Sequence, residues 1–124
     1  MKIRLPLPVR SPLLPAVLLP LFFTASAWAH HGWSSYDAEK TIKADVPLAE
    51  VRYRNPHAEA EVDYQGKRWQ VILAPTSRME SRGLPKDALT PGKTVTLEGY
   101  PRKDGTPEMR IERITVDGKV IELR

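Results

Sequence analysis

The amino-acid sequence predicts an all-β domain with one short helix. Apolar and polar residues alternate with a period of two in five stretches of the chain, as in strands with one buried face. The first stretch changes phase halfway, as a strongly curved strand does. A helical stretch lies between the third strand and the fourth, an order typical of the five-stranded oligonucleotide/oligosaccharide-binding (OB) barrel. We expect an OB-fold-like barrel, with a small β-sandwich of the same strands as the alternative.

The first predicted strand contains a break in its alternation. Val46 and Leu48 are two positions apart and share one face of the strand, and so do Val51 and Tyr53. The two pairs are out of phase with each other, so all four can face the core only if one extra residue is inserted between the pairs. This slip predicts a β-bulge. The strand ends at the Asn-Pro step of residues 55–56, because proline lacks an amide donor and restricts the residue before it.

The second and third strands form a predicted hairpin. Small or apolar residues occupy every second position of residues 58–64, with acidic residues between them. Gln65-Gly66 supplies the turn, and residues 69–73 alternate again as the antiparallel partner. Trp69 shares its face with Val71, so we expect it in the core.

A short helix follows these strands. Ser77 and Glu80 have the spacing of a capping box, which predicts a helix over residues 78–82. Gly83 is placed to end that helix in a left-handed conformation. The packing partners that we expect across the following loop are Leu84 and Leu89.

Two strands and a terminal hairpin complete the predicted domain. Residues 95–97 alternate, and residues 109–116 alternate with a second change of phase. The Pro-Gly and Asp-Gly pairs at 91–92 and 117–118 predict turns, and residues 120–123 form a short last strand.

The first 29 residues have the three parts of an export signal. Three basic residues lie within the first ten positions, residues 13–23 are mostly apolar, and Ala27-Trp28-Ala29 has small residues where a signal peptidase reads. The apolar run is shorter than the roughly 20 residues of a membrane-spanning helix. We therefore expect cleavage after Ala29 and a mature protein that begins at His30.

The chain then divides into three parts. We expect a cleaved signal at residues 1–29, an ordered N-terminal arm at 30–45 and a barrel domain at 46–124. Trp33 and Tyr36 are large enough to pin the arm to the barrel. The mature protein is expected in the periplasm, or outside the cell, and away from the membrane.

Composition limits the function of the mature chain. Without the signal, 16 basic and 15 acidic residues remain, so a nucleic-acid partner is not indicated. The absence of cysteine excludes disulfides, thiol catalysis and thiolate metal sites. No nucleophile motif identifies an enzyme, and we expect a protein that binds rather than catalyses.

Three short motifs carry a resemblance to a known family. HHGWSSYD occupies residues 30–37, NPHA occupies residues 55–58, and LTPG occupies residues 89–92 before the fourth strand. In this combination the mature chain resembles the domain of unknown function 6152 family, which consists of small exported bacterial proteins. The resemblance implies an exported single-domain β protein and implies no activity or catalytic residue.

All three histidines lie in the first two motifs, and they suggest a metal site. An N-terminal His30 can chelate one ion through its α-amine and its ring Nδ1, and His57 can supply a third nitrogen, with His31 assisting. A tetragonal three-nitrogen set suits Cu(II). Zn(II) with three histidines and a water is the alternative. The nitrogens bind only when deprotonated, so the affinity should fall with pH.

The other interpretation is a binding module without a metal. Barrels of this type bind ligands with aromatic and basic residues on a strand face. The expected contacts for a glycan, a peptide or a protein partner are Trp33, Tyr36, Arg52, Tyr53 and Arg54. In that case the histidines belong to a solvated arm and a solvated loop.

Overall fold

The computed structural model describes residues 2–13 and 32–124, and the expected cleavage site lies outside these ranges. The strands are β1 (Ile42–Arg52), β2 (Glu59–Tyr64), β3 (Lys67–Ile72), β4 (Thr94–Pro101), β5 (Glu108–Val116) and β6 (Lys119–Glu122), and the helix is α1 (Thr76–Ser81). Short 3-10 turns cover Trp33–Ser35 and Lys86–Ala88. Within the described ranges, no helix is long and apolar enough to cross a membrane.

Five of the strands close a barrel. The first half of β1 is antiparallel to β4 and the second half is antiparallel to β2. The β2–β3 and β4–β5 pairs are also antiparallel, and a parallel pairing of β3 with β5 closes the ring. β6 pairs with β5 outside the ring. The predicted all-β barrel with one short helix is confirmed, and this closure excludes the two-sheet sandwich.

Both predicted changes of phase are bulges. Ala49 is the extra residue of β1 opposite β2, and Glu112 is the extra residue of β5 opposite β4. Such insertions bend and twist a strand, which helps a short sheet to close. Gly99 lies at the second bulge, where a Cβ atom would collide with the carbonyl oxygen of Arg110.

The alternating residues fill the barrel with aliphatic side chains. No polar or charged side chain of the described residues is buried. Trp69, expected in the core, is half-buried and packs against it instead, and its indole nitrogen donates to the carbonyl of Tyr64 at 3.1 Å. The core consists of Val46, Leu48, Ala58, Ala60, Val62, Val71, Leu73, Ala74, Met79, Leu84, Leu89, Val95, Leu97, Met109, Ile111, Ile114, Val116, Ile121 and Leu123.

The predicted start of the helix is wrong. α1 covers Thr76–Ser81 instead of residues 78–82, and Pro75 rather than Ser77 occupies the N-cap position. The carbonyl of Pro75 accepts the amide of Met79 at 3.1 Å, so the first turn closes on the proline and Ser77 lies inside it. The capping box is therefore absent, since the N-cap position makes no side-chain cap hydrogen bond.

The predicted end of the helix is confirmed. Gly83 has a φ of 88°, and the amide of Leu84 donates to the carbonyl of Met79 at 2.8 Å, as in a left-handed C-terminal cap. Leu84 and Leu89 then pack into the core, as expected. The hydroxyl of Tyr53 donates to the Leu84 carbonyl at 2.8 Å and ties this loop to the end of β1.

Candidate functional site on the arm and the adjacent barrel face

The N-terminal arm, residues 32–41, is bound to the hairpin between β4 and β5. The amide of Asp37 donates to the carbonyl of Pro101 at 2.8 Å, and the amide of Lys103 donates to the carbonyl of Ser35 at 3.0 Å. The arm thus runs antiparallel to the end of β4, in a short pairing outside the named strands. These residues are part of the arm that the sequence predicts at 30–45, and residues 42–45 begin β1.

Tyr36 fixes the arm through its side chain. The residue is 4% exposed, and its hydroxyl donates to Oε1 of Glu108 at 2.5 Å. Nη1 of Arg102 lies 3.7 Å from the same oxygen. Burial, followed by the bond to Glu108, raises the pKa of Tyr36 above its ordinary value, so the hydroxyl keeps its proton and remains a donor. A hydrogen bond to a charged group typically contributes about 1.5–3 kcal/mol.

Trp33 makes the second side-chain contact of the arm. The guanidinium carbons of Arg110 and Arg124 each lie 4.6 Å from the centroid of its ring. Tyr100 meets the same ring edge-on, with centroids 6.2 Å apart. Burial lowers the pKa of Arg110, and the nearby guanidinium groups of Arg78 and Arg124 lower it further. The negative face of the indole attracts both cations and so offsets part of their repulsion.

The arm lies on the outer face of β5, which continues across β3 to β2. Arg110 of β5 pairs with Ile72 of β3, and Ile72 pairs in turn with Glu59 of β2. Neighbouring strands are about 4.8 Å apart, so β2 lies about 10 Å from β5 along this face. His57 precedes Glu59 by two positions and therefore shares its outward face. Trp33 and His57 are therefore separated by two strand positions of the five-stranded ring.

The turn before β2 holds His57. A cis peptide joins Asn55 to Pro56. Oγ1 of Thr76, the first residue of α1, donates to Oδ1 of Asn55 at 2.9 Å. Directly after the histidine, the amide of Ala58 donates to the carbonyl of Ala74 at 2.8 Å. His57 is half-buried between these two attachments, so its backbone position is fixed by the barrel.

The other two predicted metal ligands, His30 and His31, lie outside the described residues. Within residues 2–13 and 32–124, no three His, Cys, Asp or Glu side chains are grouped as a metal site. Met79 and Met109 are 0% and 1% exposed in the core, so their thioether sulfurs do not reach the surface. The donors available on the described surface are therefore nitrogen and oxygen atoms.

Two of the three residues predicted as ligand contacts at the end of β1 make ion pairs or hydrogen bonds within the protein. The guanidinium of Arg52 lies within 3.3–3.6 Å of the carboxylates of Glu50, Glu59 and Glu61. The hydroxyl of Tyr53 is used by the Leu84 carbonyl. Arg54 is exposed. Trp33 and Tyr36, the other two predicted contacts, are the residues that attach the arm.

A cleft of about 590 Å³ opens between the arm and the outer face of β4. Its volume is within the range of sites for small ligands. Aromatic rings form part of its wall, and side chains of both charges lie around them. The lining residues are Trp33, Ser34, Tyr36, Asp37, Ala38, Glu39, Tyr100, Lys103 and Arg124.

The sequence identified the arm side of this contact and missed the barrel side. Trp33 and Tyr36 were predicted to pin the arm, whereas Tyr100, Glu108 and Arg110 have the pattern of ordinary outward strand residues. Alternation gives the face on which a side chain lies and does not give its partner. No signal in the sequence joins Tyr36 to a glutamate 72 positions later.

A model of a family of unknown function (DUF6152) matches residues 20–110 of the chain. This range includes the arm, β1 to β4 and the start of β5. The chain belongs to this family, and the resemblance inferred from its motifs is confirmed. A search of curated proteins finds no match.

Proposed function

We propose that this member of the DUF6152 family is exported to the periplasm and binds Cu(II) through its mature N-terminus. His30 supplies its α-amine and a ring nitrogen, His57 supplies a third nitrogen, and His31 assists. One observation carries the proposal: the three histidines of the chain lie in two short motifs, and the turn that holds His57 is fixed to the barrel on both sides of that residue. Two motifs far apart in the sequence thereby serve one metal ion.

The proposal sets a condition on the path of the chain. Trp33 contacts Arg110 of β5, and His57 precedes β2, which lies two strands from β5 in the closed ring. His30 precedes Trp33 by three residues, and three residues span at most about 10–11 Å. Two steps between neighbouring strands already cover about 10 Å, so the proposal requires the segment before Trp33 to run extended across β3 toward the turn that holds His57.

The donor set favours cupric copper. The chain has no cysteine, and both methionines in the barrel are buried, so soft sulfur ligands are not offered to cuprous copper. Amine and imidazole nitrogens in a tetragonal set suit Cu(II), which also binds more tightly than other divalent first-row ions. Zn(II) is the expected competitor, because it accepts histidine nitrogens in tetrahedral geometry.

The test uses the full chain, expressed with its signal and purified after export. We expect an intact mass that begins at His30, one bound Cu(II) per chain and the electron paramagnetic resonance (EPR) spectrum of a tetragonal three-nitrogen site. A mass that begins at Trp28 would contradict the proposal, because the amine of His30 would then lie within a peptide bond.

A matched control separates the N-terminal amine from the histidine content. A variant with Ala-Pro-Pro inserted between Ala29 and His30 keeps all three histidines and, if its mass begins at that alanine, separates the amine from His30. The two prolines have no amide N–H, so the new amine cannot chelate Cu(II) together with a histidine through the backbone nitrogens between them. We expect Cu(II) binding to weaken by at least about 100-fold, because the six-membered chelate of the amine and ring Nδ1 is replaced by single imidazole contacts. Equal binding by this variant and the parent protein would refute the role of the amine.

The cleft beside the arm favours a second candidate function, a metal-independent binding module of the OB type. The pairing of β1 with both β2 and β4, the closure of β3 on β5 and the position of α1 between β3 and β4 support that class. Its ligand would be a glycan, a peptide or a protein partner. Nuclear magnetic resonance shifts at Trp33 and Tyr100 that persist in a metal chelator would favour this function over copper binding.

A further inference from the structure

We propose that Arg78, Arg82 and Arg124, which together form an arginine patch, bind a ligand that carries phosphate groups. Arg78 and Arg82 belong to α1, and Arg124 follows β6. The patch lies where the helix runs beside the residues that end the last strand. It contains no histidine, so the proposal is independent of the copper site.

Main-chain oxygens of three consecutive residues hold the two helix arginines in place. Nη1 of Arg78 donates to the carbonyl of Leu123 at 3.0 Å. Nη1 of Arg82 donates to the main-chain oxygens of Glu122 and Arg124 at 2.6 Å and 3.2 Å. Arg78 and Arg82 are four positions apart and therefore share one face of the helix. Both guanidinium groups are thus positioned before any ligand arrives.

These bonds leave most of the positive charge of the patch uncompensated. A carbonyl is a dipole and carries no net charge, and each guanidinium has five N–H donors, so donors remain for a ligand. In the part of the chain that the structure describes, Arg124 alone of the three makes an ion pair, with Glu112 at 3.5 Å. Arg82 is exposed, and the side chain of Arg124 is 55% exposed, so an anion in solution can reach them.

Neighbouring side chains add to the positive charge. Burial lowers the pKa of Arg110 of β5, and Arg78 and Arg124 lie near enough to lower it further. On the other side of the patch, Nζ of Lys119 lies beside Gly83, where a Cβ atom would collide with it. Without the expected signal the chain has 16 basic and 15 acidic residues, so this charge is concentrated locally on a nearly neutral protein. Such a concentration attracts anions.

Phosphate suits the patch better than a carboxylate does. The planar fork of a guanidinium can donate two parallel hydrogen bonds to either group. A carboxylate offers two oxygens in one plane, whereas a phosphate group directs its oxygens tetrahedrally and can accept bonds from several sides at once. The patch supplies guanidinium groups from two separate elements, α1 and the segment after β6. The phosphate can belong to a free molecule or to the head group of a lipid.

The first experiment measures pyrophosphate binding to the metal-free, exported protein by isothermal titration calorimetry. Arg78→Gln and Arg82→Gln each remove one charge and keep an amide donor for the main-chain oxygens. We expect each variant to bind pyrophosphate about tenfold more weakly than the parent protein, the typical loss for one hydrogen bond to a charged group. Arg82→Lys keeps the charge and loses the fork, so its affinity should lie between those of Arg82→Gln and the parent protein.

The matched control is Arg68→Gln, which removes the same charge from the β2–β3 hairpin. Arg68 is exposed there and pairs with Asp63 at 2.8 Å. Salt screens the effect of a distant exposed charge, so its pyrophosphate affinity should stay within about twofold of the parent value at physiological ionic strength. Circular dichroism identifies any variant that does not fold.

Vesicles of phosphatidylglycerol, used in cosedimentation, separate the two sources of phosphate. Binding to pyrophosphate alone indicates a free ligand, and binding to the vesicles alone indicates a lipid head group. In either case Arg78→Gln and Arg82→Gln must bind more weakly than Arg68→Gln.

Three results would overturn the proposal. The parent protein could bind neither probe. Arg78→Gln and Arg82→Gln could bind as tightly as the parent protein, which would show that these arginines serve only to anchor the end of the chain. Arg68→Gln could lose as much affinity as the patch variants, which would show that total charge attracts the anion.

Discussion

The arm and the helix α1 are both attached to the outside of the barrel, and they are held by different forces. The helix is attached by apolar burial, with Met79 fully buried and Leu84 and Leu89 packed in the core behind it. The arm is attached by the Tyr36–Glu108 bond and by the contacts of Trp33 with two guanidinium groups. Apolar burial is non-directional, whereas these polar contacts depend on geometry and charge.

The difference indicates a division of roles. The helix closes the core and cannot leave without exposing apolar surface to water. The arm covers an outward face of the barrel, so it can be released while the core stays closed. A segment that is separately attached, and that carries the candidate metal ligand, can be perturbed without unfolding the protein.

Acid should empty the copper site while the barrel stays folded, and this is the largest expected effect. The α-amine has an ordinary pKa near ~8 and histidine near ~6.5, so both are protonated well below pH 6 and cannot bind a metal ion. We expect Cu(II) to be released by about pH 5, whereas the circular dichroism spectrum of the barrel should be unchanged there. Retention of the ion at pH 5 in a His30→Ala variant would point to a different site.

Met79→Ala should destabilise the barrel and leave the arm docked. Met79 is 0% exposed, and truncation of a buried methionine typically costs about 2–5 kcal/mol through lost burial and the cavity that remains. Chemical denaturation should register this as a lower unfolding free energy. Hydrogen exchange at the Asp37 and Lys103 amides, which bond the arm to the β4–β5 hairpin, should match that of the parent chain under native conditions, and faster exchange there would mean that core and arm are coupled.

Trp33→Ala should loosen the arm and leave the barrel folded, which is the opposite of the result expected for Met79→Ala. Its effect on the free energy of unfolding should also be smaller. The substitution removes two cation–π contacts and one aromatic contact, for which we expect a loss of about 1–2 kcal/mol at this half-exposed position. Hydrogen exchange at the Asp37 amide should accelerate, while exchange within β1 and β4 should change little. If core amides exchange faster to the same extent, the arm is not an independent unit.

Glu112→Gln should flatten the acid limb of the stability curve, and this is the smallest expected effect. The hydrogen bond from Tyr100, followed by that from Arg124, lowers the pKa of Glu112. Its contribution to stability is therefore complete above the ordinary glutamate pKa of about 4.3 and disappears as the pH falls through the lowered value. Unfolding midpoints measured between pH 3 and pH 7 should depend less on pH in the variant. An unchanged slope would show that this carboxylate is not coupled to folding.

The alternation of apolar and polar residues was sufficient to predict the strands of the barrel. It was insufficient to predict how the helix and the arm are attached to them. The bulge at Ala49 follows from the change of phase between Leu48 and Val51, because a strand with one buried face must keep its alternation. The start of the helix was mispredicted because the carbonyl of Pro75 closed the first turn, which made the Ser77 cap unnecessary. Whether Pro75 or Ser77 occupies the N-cap position depends on backbone geometry, which residue type alone does not give.

The partner of the arm was beyond reach of the sequence for a different reason. Tyr36 meets Glu108 because the β4–β5 hairpin, far from the arm in the sequence, turns back beside it. His57 could be named from its motif, and the structure adds that the turn which holds it is attached to α1 and to the end of β3. The chemistry proposed for His30 depends on a cleavage event, so it follows from the export signal rather than from the fold.

Pulsed EPR of the copper-loaded, exported protein tests the central claim most directly, because it counts the histidine rings bound to Cu(II). The account predicts the signals of two imidazole rings in the parent protein, from His30 and His57, and of one ring in His57→Ala. Two rings in His57→Ala, or a single ring in the parent protein, would contradict the pairing of the mature N-terminus with the turn before β2.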